Sequence, residues 1–334
     1  PAVWRLTVAG SLTADVRHVR RIRALISHRG LDGRVRLLGA VDGGRLAALV
    51  QVAGKVVLIA GGRDKGEDYA LLQDGVRDKA RRVILISLDT LRADHLGAYG
   101  YDRPTSPNMD ALAADGVLFE RTYSTSNWTL PAHVSMLTGL ESLSHGVYCP
   151  DDRMDASLVT LAERLAQDGF FTAGMTGGGY VSGRFGFSRG FDTYSEGDGS
   201  KDHVDSAELV CRAASKWLDD HKDRDFFLFL HTFQTHDPYD SPAPYNTMFL
   251  EPDARLRRLR LLAAVGGKAG VFKDLPEPER RNIVGLYDGE IRYADEALVG
   301  PLIAQLKALG LYDETRIVLT SDHGEEVYEH GAWL

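Results

Sequence analysis

The chain has 334 residues, 44% of them hydrophobic, enough for a substantial core in one large or two ordinary domains. Acidic residues outnumber basic ones 47 to 39, and a net charge of −8 argues against nucleic acid as the main partner. Two cysteines, Cys149 and Cys211, supply neither a disulfide framework nor a metal-ligand spacing. No apolar run reaches the length of a membrane span and no signal peptide is visible; with Pro1 first and Leu334 straight after a charged segment, both ends read as cut, which leaves the compartment open.

Residues 5–9 form a short, mostly apolar run, and residues 15–28 carry Val16, Val19, Ile22, Leu25 and Ile26 at helical spacing. A strand over 34–39 and a short helix over 44–50 complete a Rossmann-like β-α-β-α rhythm. The wording of residues 5–50 resembles part of the nucleotide-sugar half of family 4 glycosyltransferases, and ends before that family's acidic motif. From Lys55 a strand runs into a glycine-rich turn without the Gly-Lys-Ser/Thr ending of a phosphate-binding loop. That stretch, 54–86, resembles a piece of the C-terminal domain of the Mur peptide ligases. Two partial resemblances in tandem mark residues 1–80 as an assembled α/β segment of structural character, preceding a catalytic domain over 81–334.

The run from Val83 to Leu88 fits a strand buried on both faces of a parallel sheet, with Asp89 at its carboxyl edge, where open α/β sheets place ligands. Residues 104–119 read as a capped helix, a glycine stop at Gly116 and a new strand. Residues 124–139 read as a strand end, a tight bend and a helix, with Pro131 in the first turn and Gly139 as a left-handed cap. The Thr129 hydroxyl then lies at a helix N-terminus, either as a plain N-cap or as a nucleophile aimed at an oxyanion. Further helices are expected over 157–167, 205–221 and 277–309, and strands over 170–175, 225–230 and 316–320. The last two strands deliver His231 and His236, and Asp322-His323, to the same edge. Two carboxylates, an imidazole and a hydroxyl make a shell for a divalent metal, which would also activate the Thr129 hydroxyl.

From residue 81 to the end the chain resembles the sulfatase branch of the alkaline phosphatase superfamily. The matching text is residues 84–95, Ser106-Pro107-Asn108-Met109 with the helix after it, residues 131–139, His236-Asp237-Pro238-Tyr239, and Thr320-Ser321-Asp322-His323-Gly324-Glu325. The resemblance implies an alkaline-phosphatase-like, mostly parallel sheet flanked by helices and truncated at its C-terminus. It implies Asp89, Asp322 and His323 as metal ligands, Thr129 as a nucleophile touching the metal, and His236 as the acid that protonates the leaving group.

The departures also carry information. Sulfatases place Cys or Ser, oxidised to formylglycine, in a Cys/Ser-x-Pro-x-Arg motif; here the text is Thr129-Leu130-Pro131-Ala132-His133, and threonine cannot give that aldehyde. His133 replaces the arginine that helps hold the nucleophile. Thr176-Gly177-Gly178-Gly179 stands where sulfatases carry a lysine and a histidine for sulfate. The reading is therefore a metal-dependent hydrolase or transferase of phosphate or sulfate esters, on a small-molecule, lipid or glycan substrate, with phosphodiesters or phosphonate esters favoured. A nitrogen donor favours Mn²⁺ or Zn²⁺, with Ca²⁺ the further option. The alternatives are a glycosyltransferase working through residues 1–80 and an inactive, truncated sulfatase-like protein. His95, His145 and Asp94 read as supporting residues, His330 as substrate contact or surface loop, and the basic run 255–260 as a solvated face.

Overall fold

The computed structural model describes residues 81–197, 206–255 and 276–327 in full, together with the backbone of three short strands nearer the start. Two of these, β1 (Leu6–Ala9) and β2 (Val35–Leu38), pair in parallel, as a β-α-β reading requires. The helices expected over 15–28 and 44–50, the basic run past Arg255, and His330 lie outside the described residues.

The third short strand, β3 (Lys55–Val57), joins a seven-stranded sheet with β4 (Arg82–Leu88), β5 (Val117–Leu118), β6 (Phe171–Thr176), β7 (Thr193–Glu196), β8 (Phe226–Thr232) and β9 (Thr315–Ser321). The spatial order is β5-β3-β9-β4-β8-β6-β7, and every pairing is parallel. All seven residues of β4 are buried, because side chains alternate between two covered faces. Ile84, Ile86 and Leu88 join one core with α1 (Pro107–Ala114), α4 (Ser206–His221), α5 (Glu277–Ala294) and α6 (Gly300–Ala308). Val83 and Leu85 join the other with α2 (Thr129–Thr138) and α3 (Leu161–Gln167). No helix among the described residues is long and apolar enough to cross a membrane.

Several boundaries differ from the sequence expectation, each for a local reason. Helix α3 begins at Leu161 rather than at 157, because Thr160 and Glu163 close a capping box there. The helix expected over 277–309 is broken by a π-helical turn, Asp295–Val299. Both Asp295 oxygens turn toward α1 and accept the backbone N–H groups of Asn108 and Met109 at 2.9 and 2.8 Å. The expected bend is present but no strand runs into it: residues 119–128 are irregular, with bends at Thr125 and at Asn127–Trp128 that lead straight into α2.

The α3 N-terminus is locked from the other side by Arg189, which pairs with Glu163 at 3.1 Å, and by Gly190 at φ +81°. A β-carbon on Gly190 would lie 2.2 Å from the Glu163 nitrogen, whereas one on Gly169 (φ +90°) would meet nothing within 4 Å. Gly169→Ala should therefore cost only the left-handed backbone conformation, about 1 kcal/mol, while Gly190→Ala adds a backbone clash and should cost on the order of 3 kcal/mol. Urea unfolding of the two variants measures the difference; equal losses would contradict this packing.

Candidate active site

Register places the site. Leu88 of β4 lies opposite Ser321 of β9 on one side and Thr232 of β8 on the other, so Asp89 and Asp322 emerge level from adjoining strands. Both carboxylates are completely buried. Thr90 follows at φ +57°, the one non-glycine residue with positive φ among those described. Its N–H donates to Asp322 Oδ1 at 3.2 Å and its hydroxyl donates to the Thr235 carbonyl at 2.9 Å. Tyr287 of α5 donates its hydroxyl to the Thr90 carbonyl at 2.8 Å. The strained turn thus ties the ends of β4, β8 and β9 to one helix.

Thr129 is the first residue of α2, with Trp128 as N-cap and no side-chain cap. The plain N-cap reading therefore fails: the hydroxyl faces the acids. Its Oγ1 lies 3.3 Å from Asp89 Oδ2 and 3.4 Å from His323 Nε2. His323 Nε2 is in turn 3.6 Å from Asp89 Oδ1 and 3.4 Å from Asp322 Oδ2. One donor atom from each of Asp89, Asp322 and His323 fits within 4.8 Å of the others, the arrangement a single ion needs. Asp89 Oδ1 and Asp322 Oδ2 are buried and accept no hydrogen bond among the described residues. Buried carboxylate oxygens without hydrogen bonds are costly, and a divalent cation is a group that would satisfy them. Two carboxylates, an imidazole and a hydroxyl suit such an ion chemically.

The electrostatics follow from crowding. Burial would raise Asp89, but His231, with His236 and His323, holds its carboxyl well below the usual range. Burial, with the Asp89 charge beside it, pushes Asp322 up to about 6. Burial opposes protonation of His323, yet the Asp322 and Asp89 carboxylates raise it above an ordinary imidazole.

His133, one turn along α2, is fully buried and pushed down to about 3 by burial and the neighbouring His231. As a neutral ring it donates from Nδ1 to the Thr129 carbonyl at 2.9 Å and accepts the Ser87 hydroxyl at Nε2, 3.0 Å away. It braces the Thr129 backbone against β4. His236 stands on the loop after β8 with its side chain 37% exposed, Nδ1 lying 2.9 Å from Asp237 Oδ1. Burial works against its charge, but Asp237, Asp89 and Glu325 raise it well above an ordinary histidine.

His231, expected just beyond its strand, is drawn into the site from within it, and two further participants, Glu325 and Phe233, are ones the sequence reading does not single out. His231 lies inside β8, because that strand runs on to Thr232, and its Nε2 sits 3.4 Å from Asp89 Oδ2. Glu325 is buried and pushed up to about 8 by burial and Asp237, against the pull of His236. Its place in the Asp-His-Gly-Glu run was the available signal. Phe233 fills the space beside the three glycines: a β-carbon on Gly177 would lie 2.6 Å from its ring and one on Gly179 2.7 Å. Beside the glycines that stand in place of the sulfatase lysine and histidine there is thus an aromatic wall, its ring 4.6 Å from that of His231. The other candidates are occupied locally. His95 pairs with Asp288 at 2.7 Å, His145 bonds Ser135 at 3.0 Å, and Asp94 pairs with Arg92 at 2.7 Å.

A sulfatase family model matches residues 81–334. Among curated relatives, the multifunctional alkaline phosphatase superfamily protein PehA of Trinickia caryophylli is 27% identical, over 75% of this chain and 64% of its own. Human arylsulfatase A is 26% identical, over 73% of this chain and 52% of its own. The chain thus spans between about half and two thirds of the length of these relatives. Among solved structures, the phosphonate monoester hydrolase of Agrobacterium radiobacter superposes with a TM-score of 0.62 at 23% identity, covering 76% of this chain and 64% of that one. The periplasmic domain of EptC from Escherichia coli, in complex with zinc, gives 0.55 at 20% identity, covering 75% and 66%. Those two likenesses concern the fold. With the family model spanning the whole sheet-and-helix domain from β4 onward, the chain belongs to the sulfatase family, in the alkaline phosphatase superfamily.

Proposed function

We propose that this chain is a metal-dependent phosphodiester or phosphonate-ester hydrolase, or the corresponding transferase, in which Thr129 is the nucleophile. The observation that carries the reading is the Thr129 hydroxyl at the first position of α2, 3.3 Å from Asp89 and 3.4 Å from His323. A divalent ion held by Asp89, Asp322 and His323 would polarise the ester and favour the ionised hydroxyl. A threonine in this place cannot become formylglycine, so release proceeds from an ester on threonine rather than from an aldehyde hydrate.

The chain's own groups divide the work. The Thr129 oxygen attacks phosphorus, helped by the positive end of α2. The bond to the leaving oxygen breaks, and His236, held protonated by its acidic neighbours, gives that oxygen a proton. Water or an acceptor alcohol then cleaves the threonine ester. Where a sulfatase lysine would meet a second negative oxygen, this chain presents Phe233. An uncharged ester substituent suits that wall better than a charge, which favours diesters over phosphate monoesters and sulfate esters. Names among the similar proteins, a phosphonate monoester hydrolase and a multifunctional phosphatase-superfamily enzyme, support this class. The zinc complex of EptC, like the nitrogen donor of His323, supports Zn²⁺ or Mn²⁺ over Ca²⁺.

Chelator-treated protein should melt at a lower temperature. Mn²⁺ or Zn²⁺ at a hundred-fold excess over Kd should restore about 2.7 kcal/mol of stability. Asp322→Asn should lose most of that response; an unchanged shift would place the ion elsewhere.

Aryl phosphodiesters should be turned over faster than the matching phosphate monoesters and sulfates, and Thr129→Ala should abolish all three. Equal sulfate turnover by wild type and Thr129→Ala would defeat the scheme. His236→Ala should slow esters with poor leaving groups by about 10²-fold or more while sparing activated ones. Because the raised histidine acts as the acid, wild-type kcat/KM on poor leaving groups should fall as pH rises through its pKa. A pH profile in which His236→Ala keeps that limb would exclude it.

A further inference from the structure

Helix α5 carries a buried acid, Glu290, that the chemistry above leaves unused. Glu290 is 1% exposed, and burial pushes its carboxyl up to about 8 against the pull of its hydrogen bonds. Its Oε2 accepts from Gln234 Nε2 at 2.7 Å, and its Oε1 accepts the backbone N–H of Ser241 at 2.5 Å. Those two partners bracket the segment that holds His236. The Gln234 amide has one orientation, because its oxygen already takes the Ala207 N–H at 3.2 Å.

Neighbouring contacts make the same connection. Gly289 lets the chain after Ser241 lie directly on α5, since a β-carbon there would meet the Tyr245 carbonyl at 2.4 Å. On the opposite side the Thr235 hydroxyl donates to the Asp89 carbonyl, and Thr90 donates to the Thr235 carbonyl at 2.9 Å. The His236 loop is therefore fastened to the strand end bearing Asp89 by one set of bonds and to α5 by another. A buried acid is a costly way to staple a loop that apolar packing could hold. What a carboxylate adds is two acceptors on one rigid plane, reaching both ends of one loop.

We propose that Glu290 is a positioning residue that sets the place of the His236 imidazole relative to Thr129 by clamping both ends of its loop. The inference rests on the reading of His236 as the general acid. Misplacing an acid by a fraction of an ångström weakens proton transfer without disturbing attack by the nucleophile.

The test is the dependence of kcat/KM on leaving-group pKa, across a series of aryl phosphodiesters, in wild type and variants. Glu290→Gln keeps the shape but turns one acceptor into a donor, so one end of the clamp is lost. It should shift the profile in the same direction as His236→Ala and less far: poor leaving groups slowed on the order of ten-fold, activated ones within about three-fold. Glu290→Gln should add nothing further on the His236→Ala background. Gln234→Leu, which cuts the clamp from the other side, should steepen the dependence likewise, and serves where Glu290→Gln gives no cooperative melt. A uniform loss across the series, or a loss that adds to that of His236→Ala, would overturn the proposal and leave Glu290 as a fold staple. If His236→Ala steepens the dependence and neither clamp variant does, only the Glu290 inference falls. If His236→Ala itself leaves the dependence unchanged, the assignment of the acid falls and the inference with it.

Discussion

Two carboxylates buried side by side at the ends of adjoining parallel strands are the constraint on which the rest of this structure depends. Asp89 and Asp322 lie level because β4 and β9 pair in register through Leu88 and Ser321. Like charges in a dry place resist joint ionisation, and here the strain is divided unequally. Three imidazoles hold Asp89 low, whereas Asp322 is pushed up by burial and by Asp89 itself. Each keeps an oxygen with no hydrogen bond among the described residues. Two like charges so placed repel each other, and the arrangement is what a candidate cation site requires.

The proposed nucleophile, Thr129, is supplied by a different element with its own logic. Helix α2 starts at Thr129 without a side-chain cap, leaving the hydroxyl free to face the acids rather than its own N–H groups. His133 then fixes the first turn from below, joining the Thr129 carbonyl to Ser87 of the central strand. A neutral imidazole can do this in a site crowded with other histidines, where a charged arginine would meet their repulsion once they are protonated. The proposed acid, His236, stands on a third element, the loop after β8, which Glu290, Thr90 and Thr235 anchor. Strand ends, a helix start and a clamped loop thereby fix three groups that share no local sequence.

Much of this was legible because parallel α/β sheets put strand ends on one edge. The apolar run before Asp89 and the one before Asp322 each announce a buried strand, so the two acids could be placed together from pattern alone. Thr129 could be placed at a helix start, but not on which side of the cap, since that turns on the backbone of Trp128. His231 looked like a residue beyond a strand because hydrophobicity stops at Leu230; pairing with neighbours on both sides carries β8 two residues further. Phe233 was invisible as a wall, since nothing in sequence says that its ring folds over glycines more than fifty residues earlier. Glu290 looked like one of many acids on an amphipathic helix. Only tertiary structure shows both its oxygens spent on the loop that bears His236.

The central claim is that Thr129 becomes covalently esterified during turnover. Rapid acid quench of the metal-loaded protein with a phosphodiester, followed by peptide mapping in a mass spectrometer, reads this directly. The account predicts a mono-esterified phosphoryl group on the peptide from α2, located at Thr129, appearing within the first turnover and absent from Thr129→Ser only if that serine is itself inert. Active turnover with the adduct on another residue, or with no adduct at any time, would contradict it.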